Sequence, residues 1–280
     1  MNKSIALFSL ILCFFTLGCN KGNAPVKGDE SWSFVVLGDV RSGYGIYEML
    51  VDRIKNIQPA PKMAFCLGDI MTAPGNEVEW ANFNRYSKPL TDKMPLYVVR
   101  GNHDGNDTID DMLLHEYGNV PGPDFYFGYK YKDTYFLILD TEIKGEENMI
   151  AGEQLLWLKE ELSSATADPS ISNIFVMLHR PLYSQACHAG EHLINADTMH
   201  QVFIHHDKVR AVLAGHEHLF KKYYQDSLLY IITAGGGSTL CRGFGGDYYH
   251  FTKISFYENS KRINIKTIGI FNEVVEDFDL

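Results

Sequence analysis

The sequence predicts an α/β fold in which two mixed β-sheets pack together with helices on their outer faces, a four-layer sandwich. Three observations carry this. From residue 32 onward, short apolar strands alternate with amphipathic helical stretches. After residue 124 the alternation gives way to a hairpin pattern, FYFGYK and TYFLIL on either side of Lys132-Asp133, which a purely parallel sheet does not contain. At 280 residues, 45% of them hydrophobic and 13% aromatic, the chain can also bury one large core.

Residues 33–37 read as the first strand, and 44–57 as a helix with Ile46, Leu50, Ile54 and Ile57 on one face. A second strand over 63–67, a helix over 77–90 and a third strand over 96–99, introduced by Pro95, complete the first half. After the hairpin come a helix over 152–162, a strand over 174–178, a helix over 196–206 and strands over 209–213 and 228–233. Two last strands, near 251–257 and 263–270, flank a turn at Asn259-Ser260. His200, His205 and His206 on the last helix are read as exposed. No internal repeat interrupts the pattern.

The beginning of the chain reads separately. Lys3, an apolar run over residues 5–17 and then Gly18-Cys19 form a signal-peptide pattern over residues 1–19, too short for a comfortable membrane span. Thr16-Leu17-Gly18-Cys19 resembles a bacterial lipobox, which implies a lipid on Cys19 and a membrane-anchored, exported protein; a plain signal peptide cut nearby is the alternative. Residues 20–31 are polar with Gly and Pro and read as a tether, leaving 32–280 as the domain. Cys66 sits in an apolar strand as a core thiol, while Cys187 and Cys241 lie in loops where an exported protein permits a disulfide. The net charge of −10 argues against binding a nucleic-acid duplex, yet a small phosphorylated substrate remains open because cations in an acidic cleft reverse the local field.

The chemistry collects at strand ends. FVVLGD ends at Asp39, AFCLGD ends at Asp69, YVVRGNHD carries Asn102, His103 and Asp104, FVMLH ends at His179, and VLAGHEH carries His216 and His218. Open α/β sheets build their sites just beyond the carboxyl ends of their strands. A single Asp there is more often a turn or helix cap, but five ligand-bearing ends in one chain exceed that explanation. Carboxylate, amide oxygen and imidazole without thiolate suit one or two ions of Mn, Fe, Zn or Co. A glycine run at 235–237 can offer backbone N–H groups to phosphate or serve as a flexible turn. His188, His192 and His250 lie in loops and are not read as ligands. No Walker-type loop, Gly-x-Ser-x-Gly elbow or CxxC pair is present.

In their order and spacing these motifs resemble the calcineurin-like metallophosphoesterases, a superfamily that includes the purple acid phosphatases; the resemblance covers roughly residues 33–250. It implies that Asp69 bridges two metals, that Asn102, His179 and His216 complete one site, and that Asp39 and His218 serve the other. It further implies attack on phosphorus by a metal-bound hydroxide, with His103 donating a proton or orienting the phosphate and Asp104 fixing its imidazole.

One position departs from the family pattern. Where Asp-x-His is usual, this chain has Asp39-Val40-Arg41, and an always-protonated guanidinium cannot ligate a metal. The tyrosine that purple acid phosphatases place three residues after the second-motif aspartate is Thr72 here. Arg41 can clamp a substrate phosphate, replace the first cation electrostatically, or face solvent. The implied function is metal-dependent hydrolysis of a phosphomonoester or phosphodiester outside the cytoplasm. The alternative is a catalytically reduced surface binding protein on the same scaffold.

Overall fold

Side-chain alternation along the strands sorts the molecule into layers. The computed structural model describes residues 30–105, 108–184, 186–257 and 261–280, so the expected leader, Cys19, nearly all of the tether and the Asn259-Ser260 turn lie outside the described residues. One sheet takes β1 (Trp32–Leu37), β2 (Ala64–Cys66), β3 (Leu96–Val98), β10 (His250–Tyr257), β11 (Arg262–Gly269) and β12 (Val274–Asp279), in the order β12-β11-β10-β1-β2-β3. The other takes β4 (Phe127–Tyr131), β5 (Thr134–Ile138), β6 (Asn173–Leu178), β7 (Val209–Ala214), β8 (Phe220–Gln225) and β9 (Leu228–Thr233), in the order β4-β5-β6-β7-β9-β8. The sheets are mixed, as expected: β1, β2 and β3 run parallel, as do β5, β6, β7 and β9, while β10 joins β1 and β4 joins β5 antiparallel.

On β6, Phe175 and Met177 face the other sheet, whereas Ile174, Val176 and Leu178 face the helices. On β7, Ala211 and Leu213 point inward and Val212 and Ala214 outward. This is the period-two signature of strands buried on both sides. The two sheets lock through Phe34, which meets Phe136 edge-on at 5.0 Å and Phe175 at 5.3 Å. Helices α1 (Tyr44–Ile54) and α2 (Glu77–Thr91) pack against each other beside the first sheet, their Tyr47 and Phe83 rings stacked at 5.7 Å. Helices α4 (Gly152–Ala167) and α5 (Ala196–Ile204) cover the second sheet through Leu158, Leu162, Met199 and Phe203. The α2 N-terminus is capped by Asn76, whose side-chain oxygen accepts the Glu79 N–H.

All the expected elements are present, the largest difference being α4, which continues to Ala167. Three elements were not legible. Helix α3 (Thr108–Gly118) hides because an acidic residue sits on its inner face: buried Asp110 accepts the Trp80 indole N–H at 2.9 Å and the Gly75 N–H. Strands β8 and β12 are sheet edges, and their sequences FKKYYQ and VVEDFD carry charges that suit an edge and obscure alternation. His200 corrects an expectation of exposure: it is buried under α5, with Nδ1 at 2.7 Å from the Tyr230 hydroxyl and Nε2 at 3.0 Å from Asp226. The expected core thiol, Cys66, is buried and free.

His250 begins β10 entirely out of solvent, its Nδ1–H donating to the Tyr248 carbonyl at 2.8 Å and its Nε2 accepting from Thr233 at 3.1 Å. Burial pushes its pKa down to about 4, against the pull of the Tyr248 carbonyl. Above pH ~6.5 it is neutral folded or unfolded; below that the unfolded chain gains a proton that the native state refuses, so stability falls as pH drops toward 4. Urea unfolding at pH 7.5 and 5.0 should show wild type losing about 2 kcal/mol more than His250→Gln over this interval. Equal losses would mean that His250 protonates in the native state without cost.

Candidate metal centre

Five strand ends, of β1, β2, β3, β6 and β7, converge at one edge of the sandwich, and hydrogen bonds between the loops hold them in register. The Asp39 N–H donates to the Gly68 carbonyl at 2.9 Å, and the N–H groups of Val40 and Arg41 both reach the Asp69 carbonyl at 3.0 Å. The glycine run does not form a loose turn: Gly236 N–H donates to Gly38 O at 2.8 Å and Ser238 N–H to Asp39 O at 2.8 Å, packing the run against the first motif. Asp39, Asp69, His216 and His218 all adopt positive φ, at 62°, 56°, 73° and 50°. For residues with a Cβ each costs about 1–3 kcal/mol, a strain that persists only where surrounding contacts over-determine it.

Asp104 supplies much of that determination. Its buried carboxylate accepts N–H groups from Asp69 at 2.9 Å, Ile70 at 2.6 Å, Met71 at 3.3 Å and Gly101 at 2.7 Å. This corrects the expectation that Asp104 fixes the His103 imidazole: the His103 Nδ1–H donates instead to the Thr72 carbonyl at 2.9 Å. Asp104 positions the backbone that carries Asp69, and it touches no reacting atom. Gly101 must be glycine for the same packing reason, since a Cβ there would lie 2.3 Å from the Asp69 nitrogen.

Four expected ligands meet around one point. Asn102 Oδ1 is 2.9 Å from His179 Nε2 and 3.0 Å from His216 Nδ1; His179 Nε2 is 3.2 Å from His216 Nδ1 and 3.3 Å from Asp69 Oδ1. The His179 Nδ1–H donates to Leu67 O at 2.7 Å, so in the neutral imidazole the nitrogen aimed at Asn102 Oδ1 offers a lone pair. Acceptors facing acceptors across about 3 Å are the neighbours expected on one cation with bonds of about 2.1 Å. The residues therefore fit a divalent metal. Burial, with the Arg180 guanidinium beside it, holds His216 far below the usual histidine range, keeping it a neutral ligand. Burial works against the charge of Asp69, but the Arg41 guanidinium and the His103 N–H at its carboxylate favour it, and its carboxyl stays below the ordinary value.

The other expected set is arranged differently. Both Asp39 oxygens lie 3.0 Å from the His216 N–H, and burial followed by the Asp69 charge raises the Asp39 pKa well above the usual carboxylate range. The His218 Nδ1–H donates to Thr239 O at 2.9 Å, leaving a buried Nε2 without a hydrogen-bond partner, 3.5 Å from Asp39 Oδ1. Burial, then Arg41, lowers the His218 pKa to about 4. Arg41 does not face solvent: its Nε donates to Asp69 Oδ2 at 3.0 Å.

Several site residues escaped the sequence reading. Arg180, next to His179, places Nη1 at 3.4 Å from His216 Nε2 and is held by Glu142 at 2.8 Å; Glu191 Oε2 lies 3.5 Å from the same His216 nitrogen. The ring of His188 packs 4.8 Å from that of His216 and 5.1 Å from that of His218, with a buried, unpartnered Nδ1. His188, Glu191 and His216 form a second group of possible ligands beside that of Asp39, Asp69 and His179. What brings His188 here is a disulfide between Cys187 and Cys241, with Cα atoms 5.8 Å apart, the pairing the sequence left open. A cleft of about 260 Å³ opens beside Asn102, lined on its far side by Glu142, Glu147, Asn148 and Arg180.

A family model described as calcineurin-like phosphoesterase matches residues 33–220. The serine/threonine-protein phosphatase CPPED1 of Mus musculus is 25% identical over 208 residues, covering 70% of this chain and 63% of that protein, so the chain spans less than two thirds of that relative's length. Purple acid phosphatase PPD1 from yellow lupin superposes with a TM-score of 0.71 at 17% identity, over 90% of this chain and 54% of the other. A dimetal phosphatase from Danio rerio gives a TM-score of 0.61 at 15% identity, over 90% of this chain and 99% of the other. At those identities the structural matches speak to the fold, and it is the predicted one.

Replacing Asp104 by Asn turns an amide NH₂ toward backbone donors that it cannot accept. With one or two buried N–H groups left unsatisfied, Asp104→Asn should lose about 2–4 kcal/mol in chemical denaturation. Metal affinity should weaken through Asp69 while any pH–rate profile keeps its shape; a displaced acidic or basic limb would instead give Asp104 a role in proton transfer.

Proposed function

The chain belongs to the calcineurin-like phosphoesterase family, and we propose that it hydrolyses a phosphomonoester or phosphodiester of a small or exposed substrate with the help of a bound metal. The observation that carries this reading is the convergence of Asp69 Oδ1, Asn102 Oδ1, His179 Nε2 and His216 Nδ1 around one point, with the His179 Nδ1–H turned away to Leu67 O. The phosphatase names of CPPED1 and of PPD1 support ester hydrolysis at phosphorus. An ion of Mn, Fe, Zn or Co held by these donors supplies Lewis acidity toward a phosphoryl oxygen and lowers the pKa of a water.

The chain's own residues supply orientation and protons. His103 is fixed by its Nδ1–H on Thr72 O and by its N–H on Asp69 Oδ1 at 3.2 Å; in the imidazolium form it would give its Nε2 proton to the departing alkoxide and keep the Nδ1–H on Thr72 O. His188, over His216 and His218, is placed to hydrogen-bond a phosphate oxygen. Glu142 and Arg180 neutralise each other, so the cleft beside Asn102 suits a polar, hydrogen-bonding leaving group. Export belongs to the same proposal. The apolar run ending at Cys19 supports it, and so does a disulfide, which persists in oxidising compartments; lipid on Cys19 would tether the domain to a membrane. Among the described residues no helix is long and apolar enough to cross a membrane.

Turnover of p-nitrophenyl phosphate and of bis(p-nitrophenyl) phosphate should vanish on chelation and return with divalent metal, and His179→Ala should lower kcat by about three orders of magnitude. A well-folded wild type that turns over no phosphoester with metal present, yet binds a ligand saturably after chelation, would replace this reading with that of a binding scaffold.

Removing the proton donor should be felt most by poor leaving groups. His103→Ala should slow an alkyl phosphate by about 10²–10⁴-fold and the nitrophenyl ester much less. Equal losses on both esters would assign His103 to phosphate orientation instead.

A further inference from the structure

We propose that Arg41 replaces the first metal ion, so that each chain works with one ion, held by Asp69, Asn102, His179 and His216. The inference rests on the phosphoesterase reading above. A carboxylate that bridges two ions must leave room for positive charge on either side of it. Here Asp69 Oδ1 faces His179, while Oδ2 receives Arg41 Nε at 3.0 Å. Among the described residues Asp69 is the one hydrogen-bond partner of the Arg41 side chain.

The guanidinium is delivered there by its backbone. The Arg41 N–H donates to Asp69 O at 3.0 Å, and the Arg41 carbonyl accepts the Ser238 hydroxyl at 3.2 Å. The first position is thus tied to the Asp69 loop on one side and to the packed glycine run on the other. No replacement ligand reaches it from the position three residues past Asp69. Thr72 is turned to α2, its N–H at 2.6 Å and its hydroxyl at 2.8 Å from the Glu79 carboxylate.

An ion bound to Asp69 Oδ2 by a bond of about 2.1 Å would lie roughly 4 Å from the guanidinium, two positive charges sharing one oxygen with little water to screen them. Asp69 is 1% exposed, so a charged carboxylate there requires a cation. Arg41 provides it. Its fork, with Nε on the carboxylate, keeps both Nη groups for the phosphoryl oxygen that a first metal would have polarised. Asp39 and His218 Nε2, 3.5 Å apart, are then left to hydrogen-bond a water rather than to ligate.

The test is metal content. Wild type and Arg41→His are stripped, reloaded with excess Mn²⁺, freed of unbound ion and assayed for metal per chain, with the electron paramagnetic resonance spectrum recorded on the same samples. The expected result is one ion and an isolated six-line Mn²⁺ signal in wild type, against two ions and an exchange-coupled spectrum in Arg41→His. Two coupled ions in wild type would overturn the inference and leave the phosphoesterase reading intact, and so would one ion in both proteins, since Arg41 would then not be what excludes the second. No bound metal in a folded wild type would overturn the phosphoesterase reading itself. The wild-type spectrum decides the ion count even if the variant does not fold.

Discussion

The carboxylate of Asp104 is the point on which the catalytic edge depends. A loop that turns back on itself exposes N–H groups that no strand pairs, and in a dry site each needs an acceptor. Asp104 takes four, three from the loop after β2 and one from the loop after β3. Those loops can therefore touch, and the contact is so close that only glycine fits at residue 101. The left-handed backbone of Asp69 follows, and with it the direction in which its carboxylate points. The second sheet is joined to this arrangement by the His179 imidazole, whose N–H closes on Leu67 O across the layer boundary. Folding and site assembly thus share their hydrogen bonds: the groups that hold β2 and β3 in place also aim Asp69 and His179.

How much of this was legible depended on whether a residue's task is local. The strands that end in ligands read clearly because burial on both faces demands runs such as FVVLGD and FVMLH, and the ligands follow at once in the chain. The predicted fold followed from the same runs. Residues whose task is set by a distant partner were opaque. Asp104 was assigned to its neighbour His103, when its partners are backbone N–H groups reached only through the fold. Arg180 carries no signal of its own in the sequence, and it joins the site because β7 brings His216 alongside. His188 was one loop histidine among several until the Cys187–Cys241 bond selected it. The edge strands and α3 were missed for a related reason, because each places charge where the periodic patterns expect apolar side chains.

Charge is distributed unevenly through the site, and the pattern is physically consistent. Around the complete ligand set, His216 is held neutral by burial and the Arg180 guanidinium, while Asp69 is held ionised. Behind it runs a chain of linked charges: Arg100 is bound to Asp140, whose Oδ1 also accepts the Glu142 N–H, Glu142 is bound to Arg180, and Arg180 reaches Glu191. Each buried charge in the chain has an opposite neighbour, the condition under which such groups are tolerated in an interior. The chain begins beside Phe125, over whose ring the Arg100 guanidinium sits at 4.4 Å, and it passes through Glu142 and Arg180, which line the cleft.

The Cys187–Cys241 bond has a topological consequence. The two cysteines are separated by 54 positions, and between them lie α5, β7, β8, β9 and both His216 and His218. Those elements form a covalent ring, and closing a loop of this length in the unfolded chain is worth about 4 kcal/mol in the chain-entropy account. A nick at the exposed Asp226, in the turn between β8 and β9, would therefore leave both pieces of the ring bound to the molecule. The ring that carries His216 and His218 can thus be cut by a protease without being released, at the end of β8 and β9 opposite the ligand-bearing edge.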